Sequence, residues 1–187
     1  VAHSWLKAFM EAFAEALPAV RVELTVDLSR HLLERMQAGE LDLCFQTEVR
    51  PVPGLGALDL DKHGFVWVVS MGARFDALTV TDALARHALF LPASGTEPFT
   101  DFQNYMTDAG WEASTVVPSS NLSVAKNLVR DGLGIGLLPA CMVADDLQTG
   151  RLRQVEHDWT PNPLLCCARF SQERKPFIVE RALETAQ

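Results

Sequence analysis

The sequence predicts an α/β chain folded as two lobes. Segments with helical apolar spacing alternate with short apolar runs over the whole length, which is the pattern of strands joined by crossover helices. The alternation runs through two rounds. Two continuous apolar runs, FVWVVS at 65–70 and LLCCARF at 164–170, bracket the second round and read as strands crossing between lobes. The expected bounds are 1–68 with 168–187 for the first lobe and 72–163 for the second. The hinge strands are expected near 65–71 and 164–170, with the crossings near Val69 and Cys167.

In order along the chain, residues 4–17 place Leu6, Phe9, Met10, Phe13 and Leu17 at helical spacing, with Ser4 as N-cap and Pro18 past the end. Arg21–Val26 alternates and reads as a strand. Ser29 reads as the cap of a second helix carrying Leu32, Leu33 and Met36, which Gly39 stops; a strand follows at Leu41–Phe45. Asp59, Asp61 and His63 fall in what reads as a polar loop. After FVWVVS come a helix at Thr81–Arg86, a strand at Ala88–Leu91, a helix over 98–109 and a strand around Ser114–Val117. A helix follows with Leu122, Ala125, Leu128 and Val129 on one face, then a strand at Ile135–Leu138, a helix near Ala140–Leu147, the strand at 164–170 and a closing helix over 175–185.

Composition bounds the function. The chain has 187 residues, 48% of them hydrophobic and 21% charged, so it can bury a core and is not a disordered segment. Sixteen basic residues against twenty-four acidic ones give a formal charge of −8, and the basic residues are scattered. Holding DNA phosphates needs clustered cations, so the chain is not expected to bind DNA by itself. No apolar run reaches the length of a membrane span. Cys44, Cys141, Cys166 and Cys167 lack the density of a disulfide framework, which suits a reducing cytoplasm.

The run from Asp131 to Pro139 is the most informative. Gly132, Gly134 and Gly136 resemble a nucleotide-binding loop in spacing only, because such a loop follows a strand and opens a helix. Here the glycines follow a helix and open a strand, and Pro139 closes it. That order, followed by an amphipathic stretch and Gly150-Arg151-Leu152, resembles the effector-binding domain of LysR-type transcriptional regulators. Two more segments match in register: residues 18–45, ending in Gly-Glu-Leu-Asp-Leu, and residues 89–110, a strand, a Ser/Gly loop and a helix. The likeness covers essentially the whole chain.

The resemblance implies two Rossmann-like lobes joined by two crossing strands, a type 2 periplasmic-binding-protein-like fold. It implies a small-molecule effector held in the interlobe cleft, and coupling to a helix-turn-helix DNA-binding domain on an N-terminal segment absent from this sequence. The family's domain opens with a strand ahead of the first helix, so the natural polypeptide is expected to extend upstream. The ligand-binding positions that the resemblance carries over are His3 and Ser4, Ser29, the loop Ser94-Gly95-Thr96, and Ser119 to Asn121, all at helix starts whose N–H groups suit anions. Phe99 is expected to wall the pocket. The competing reading is that the hydroxyl and amide side chains only cap helices, and that Phe99 is core. Glu97 would repel an acidic effector, and no Arg or Lys stands at the matched positions.

The resemblance further implies a homodimer, or a tetramer at full length, with helix Leu6–Leu17 at the contact, and contact with DNA only through the N-terminal domain. No cofactor, metal or membrane partner is expected. The five histidines lack H-x-H and H-E-x-x-H spacing, and adjacent Cys166 and Cys167 point to opposite faces of a strand, as buried thiols instead of a redox pair. No nucleophile elbow or Walker loop is present, so catalysis is not expected. The alternatives are a free-standing periplasmic-type solute-binding protein and an enzyme on the same fold.

Overall fold

The computed structural model describes residues 2–47, 50–73, 80–110, 112–174 and 176–186, without the side chains of residues 2–5 and 80–82. Two compact units result: Val1–His63 with Leu164–Gln187, and Gly64–Pro163. The dividing points stand at the starts of the two strands read as hinges.

In the first unit a three-stranded sheet has the order β1-β8-β2, with β1 at Leu43–Gln46, β8 at Leu164–Ser171 and β2 at Leu55–His63. Both pairings are antiparallel. Alternation divides β8 between two faces. Ala168 and Phe170 share one face with Leu43, Phe45 and Leu58, where Val179 and Leu183 of α7 (Phe177–Thr185) pack. On the other face Cys44 meets Leu32 and Met36 of α2 (Ser29–Gln37). Helix α1 (Ala2–Ala16) sets Phe9 against Phe13 with ring centroids 5.8 Å apart and edge-on to Phe45 at 5.2 Å.

Several expectations for this unit need correction. Helix α1 already runs from Ala2, so Ser4 lies within its first turn and not at the cap. Arg21–Val26 pairs with no described strand: alternation supplies the side-chain pattern, but a ladder also needs a partner row of N–H and C=O groups. Val22, Leu24 and Val26 are 43%, 57% and 76% exposed as a result. The polar loop around Asp59 is strand β2. Leu58 and Leu60 face the core while Asp59 and Asp61 are exposed, with a register shift between Asp59 and Lys62.

The second unit holds a five-stranded sheet of order β5-β4-β6-β3-β7. Its central strands β4 (Ala88–Pro92) and β6 (Ile135–Pro139) run parallel, as do β4 and β5 (Thr115–Ser119). Strand β3 (Phe65–Ser70) is antiparallel to β6 and to β7 (Leu152–Val155), so the expected crossover pattern is confined to β5-β4-β6. Helices α3 (Val80–Arg86), α4 (Glu97–Ala109), α5 (Leu122–Arg130) and α6 (Ala140–Gln148) complete the unit. Ala125 and Val129 of α5, Val143 of α6 and the strand residues Val68, Phe90, Leu138 and Leu152 form one fully buried cluster. Burial of each larger aliphatic side chain contributes roughly 1.5–3 kcal/mol.

The glycine run does what its order predicts. Helix α5 ends with Gly132 at φ 86°, Gly132 N–H donating to Val129 O at 2.9 Å and Leu133 N–H to Leu128 O at 3.1 Å, a left-handed stop closed by two bonds. Gly134 serves a different need: a Cβ there would lie 2.2 Å from the Ala88 carbonyl oxygen, so β4 and β6 can approach only around a glycine.

Candidate functional site

Parallel strands β4 and β5 lie side by side, with Pro92 and Ser119 in register at their carboxyl ends. Each then feeds a helix. Strand β4 passes through Ala93, Ser94 and Gly95 into α4, and β5 passes through Ser120 and Asn121 into α5. The Ser94-Gly95-Thr96 loop and the Ser119–Asn121 turn therefore leave one sheet edge together. In open α/β sheets that edge is where ligands bind, because helix N–H groups converge there.

The two helix starts are chemically different. Asn121 is a true N-cap: its Oδ1 accepts from Ser123 N–H at 3.1 Å and Val124 N–H at 3.2 Å. Ser119 Oγ accepts from Asn121 N–H at 3.1 Å and donates to Asn121 O at 2.9 Å, tightening the turn. Local structure accounts for both side chains. Thr96 occupies the cap position of α4 with φ −92° and ψ 153°, but its hydroxyl makes no cap bond and donates instead to Ala93 O at 2.7 Å. Pro98 lies within the first turn and carries no N–H. The Glu97 and Phe99 N–H groups are thus left without a side-chain cap, beside a loop that Gly95, at φ 78°, turns sharply. Ser94 is exposed, Phe99 is half-buried and Glu97 points outward at the start of α4, where a carboxylate favours the helix dipole. Phe102, one turn on, is the aromatic that fills the core, at 1% exposure.

In the first unit Ser29 is not the cap of α2. Leu28 holds that position, and Asp27 Oδ1 serves the helix start by accepting from Leu28 N–H at 2.7 Å. Asp27 Oδ1 also lies 2.8 Å from His31 Nδ1, and that bond holds the Asp27 carboxyl below its ordinary range. Ser29 is thereby released to join Thr47: the two hydroxyl oxygens are 3.2 Å apart, and Thr47 N–H donates to Ser29 Oγ at 3.2 Å. Thr47 escaped sequence reasoning, although a hydroxyl residue just past the strand LCFQ was its visible signal. The side chains of His3 and Ser4 lie outside the described residues.

Among the described residues no group of three or more His, Cys, Asp or Glu side chains is arranged to hold a metal ion, and no helix is long and apolar enough to cross a membrane. Cys44, Cys166 and Cys167 are buried and form no disulfide among the described residues, and burial pushes the Cys44 thiol up to about 11.

The mixed α/β architecture with two sheets is the type 2 periplasmic-binding-protein-like fold of bacterial regulatory domains. The cofactor-binding domain of the Cbl transcriptional regulator matches it with TM-score 0.81 at 21% identity, over 100% of this chain and 83% of that one. The CcmR regulatory domain of Synechocystis PCC6803, in complex with 2-PG, matches with TM-score 0.78 at 16% identity, over 100% of this chain and 93% of that one. The family model for the LysR substrate binding domain matches residues 1–185, and the chain belongs to that family. An HTH-type transcriptional regulator of Bacillus subtilis, YwqM, is 28% identical over 176 residues, which are 89% of this chain and 56% of that protein. The chain thus spans about half the length of this curated relative.

Proposed function

We propose that this chain senses a small molecule for a transcriptional regulator, binding it at the helix starts that leave the β4–β5 sheet edge; Ser29, beside Thr47, is a further candidate by family position. The observation that carries the reading is the α4 start. Its cap position holds a threonine that does not cap, so no side-chain cap occupies the helix start, at the kind of sheet edge where ligands of open α/β sheets bind. His3 and Ser4 belong to the proposal by family position alone. Asn121 and Ser119 contribute their shape to the site, since their polar atoms already serve the turn.

Because the family is regulatory, the domain acts by binding and not by turnover. Effector affinity that differs between two conformations shifts their populations, and ~1–3 kcal/mol of coupling is a typical allosteric magnitude. The name of YwqM, an HTH-type transcriptional regulator, supports a helix-turn-helix partner segment; in this reading DNA is reached through that segment, in the cytoplasm. We also infer a homodimer. Phe9 and Phe13 of α1 are used within the first unit, while Ala8, Ala12 and Ala16 are exposed and small enough for close helix packing.

A thermal-shift screen with a library of carboxylates, phosphates, sulfonates and neutral polyols tests the reading. A compound that raises the midpoint is then titrated against Ser29→Ala and Thr96→Ala. Each substitution is expected to weaken binding about fivefold, the worth of one hydrogen bond, in addition to the small fall in the free chain's midpoint that losing the Ser29–Thr47 or Thr96–Ala93 bond brings. Unchanged affinity in both variants would reject these positions.

A further inference from the structure

A concavity lies within the second unit, along α4 beyond its first turn. It is an open groove of about 520 Å³ between the outer face of α4 and the segment Trp159–Asn162. On α4, Asp101, Asn104, Tyr105 and Asp108 recur at intervals of three and four residues and so form one stripe. The facing segment is fixed to that stripe at two points. Asn162 donates from its backbone N–H at 3.2 Å and its side-chain amide at 3.3 Å to the same Asp101 oxygen, Oδ2. The Trp159 ring stacks on Tyr105 with centroids 4.5 Å apart and planes 13° from parallel. Trp67 Nε1–H donates to Trp159 O at 3.0 Å and ties the wall to the core.

The charge on this groove is of one sign. Asp101 and Asp108 line it, and among the described residues no lysine or arginine does. Asp158 is near enough to add its charge to the burial that raises the Tyr105 hydroxyl. Asp108 is exposed, and its carboxylate makes no hydrogen bond or ion pair among the described residues. It also stands in the last turn of α4, which contains no basic residue, so its charge adds to the negative end of the helix dipole. At 1.5 Å of rise per residue, Asp101 and Asp108 are about 10 Å apart along the helix axis, with the aromatic pair between them.

We propose that this groove binds a linear polyamine, one ammonium group at Asp108 and the helix carbonyl end, the other at the Oδ1 edge of Asp101. The chain between the two terminal charges, with the middle ammonium of spermidine, lies along the Tyr105–Trp159 rings. Terminal cations on a largely apolar chain match two carboxylates joined by an apolar surface, and an ammonium beside an aromatic ring gains further attraction. The proposal does not depend on the effector site at the sheet edge.

Calorimetric titration of the chain with spermidine at low ionic strength tests it. Saturable one-to-one binding is expected, weakened about fivefold in Asp108→Asn, which is the worth of one exposed ion pair. Butylamine, with a single charge, is expected to bind more weakly than spermidine. Glu173→Gln, an exposed carboxylate outside the groove, should leave affinity unchanged. Asp108→Asn touches no described partner, so its thermal midpoint should not fall. The proposal is overturned if spermidine does not saturate, if butylamine binds as well, or if Glu173→Gln loses as much affinity as Asp108→Asn. The last outcome would mean attraction to the net charge of −8 alone.

Discussion

Gly134 faces the backbone of Ala88 so closely that a Cβ would sit 2.2 Å from its carbonyl oxygen and 3.0 Å from its carbonyl carbon. The contact opens the β4–β6 ladder, in which Leu89 pairs with Ile135 and Phe90 with Gly136. Both strands end at the edge where the effector site is proposed. A backbone atom cannot rotate away as a side chain can, so Gly134→Ala must part the two strands. A loss of about 3 kcal/mol is expected, read as a lower urea midpoint. A midpoint within a few tenths of a molar of the parent would show that the strands yield easily.

Asp146 is 1% exposed, and its carboxylate meets Lys126 Nζ at 3.0 Å and Arg151 Nε at 2.5 Å. Burial alone would raise its carboxyl; the bonds and charges of Arg151 and Lys126 outweigh that and leave it lowered. A folded value below the unfolded one means that the stabilisation is complete above about pH 4 and is lost as pH falls through the lowered value. Asp146→Asn is therefore expected to cost about 2 kcal/mol at neutral pH, less than a fully buried pair because Arg151 is half exposed. It should also flatten the acid limb of the stability curve, measured by denaturant unfolding from pH 7 to pH 3. An acid limb parallel to the parent's would remove Asp146 as its source.

Much of the second unit was legible because its strands are short continuous apolar runs between amphipathic helices, with glycine and proline at the junctions. FVWVVS and the Gly132–Pro139 run appear where the residues place them. The antiparallel sheet of the first unit was not legible. Strand β2 interleaves Leu58 and Leu60 with Asp59 and Asp61, and alternation that short, following Pro51, Pro53 and Gly54, reads as a turn. Arg21–Val26 shows the opposite failure, a good alternating pattern that no described strand accompanies. At the candidate site, the nearness of these residues to helix starts was legible and what their side chains do was not. A serine, threonine or asparagine before a helix looks alike in sequence, yet Asn121 caps, Thr96 turns to Ala93 and Ser29 turns to Thr47.

Thiol chemistry checks the burial of the first unit's sheet. Cys44, Cys166 and Cys167 are buried and Cys141 is half-buried, and the Cys44 thiol, pushed up to about 11, carries almost no thiolate at neutral pH. Iodoacetamide at pH 7.5 should modify Cys141 first and the other three only on unfolding, as read by peptide mass. Early labelling of Cys166 or Cys167 would show that β8 is accessible from solvent.

The central claim is that a small molecule is held at the helix starts on the β4–β5 edge. Amide chemical-shift mapping of the chain, titrated with the strongest compound from the thermal-shift screen, tests it most directly. The largest displacements are expected at the amides of residues 94–97 and 119–122. Displacements centred on Asp101–Asp108 and Trp159–Asn162, or a library in which no compound raises the midpoint or moves these amides, would contradict it.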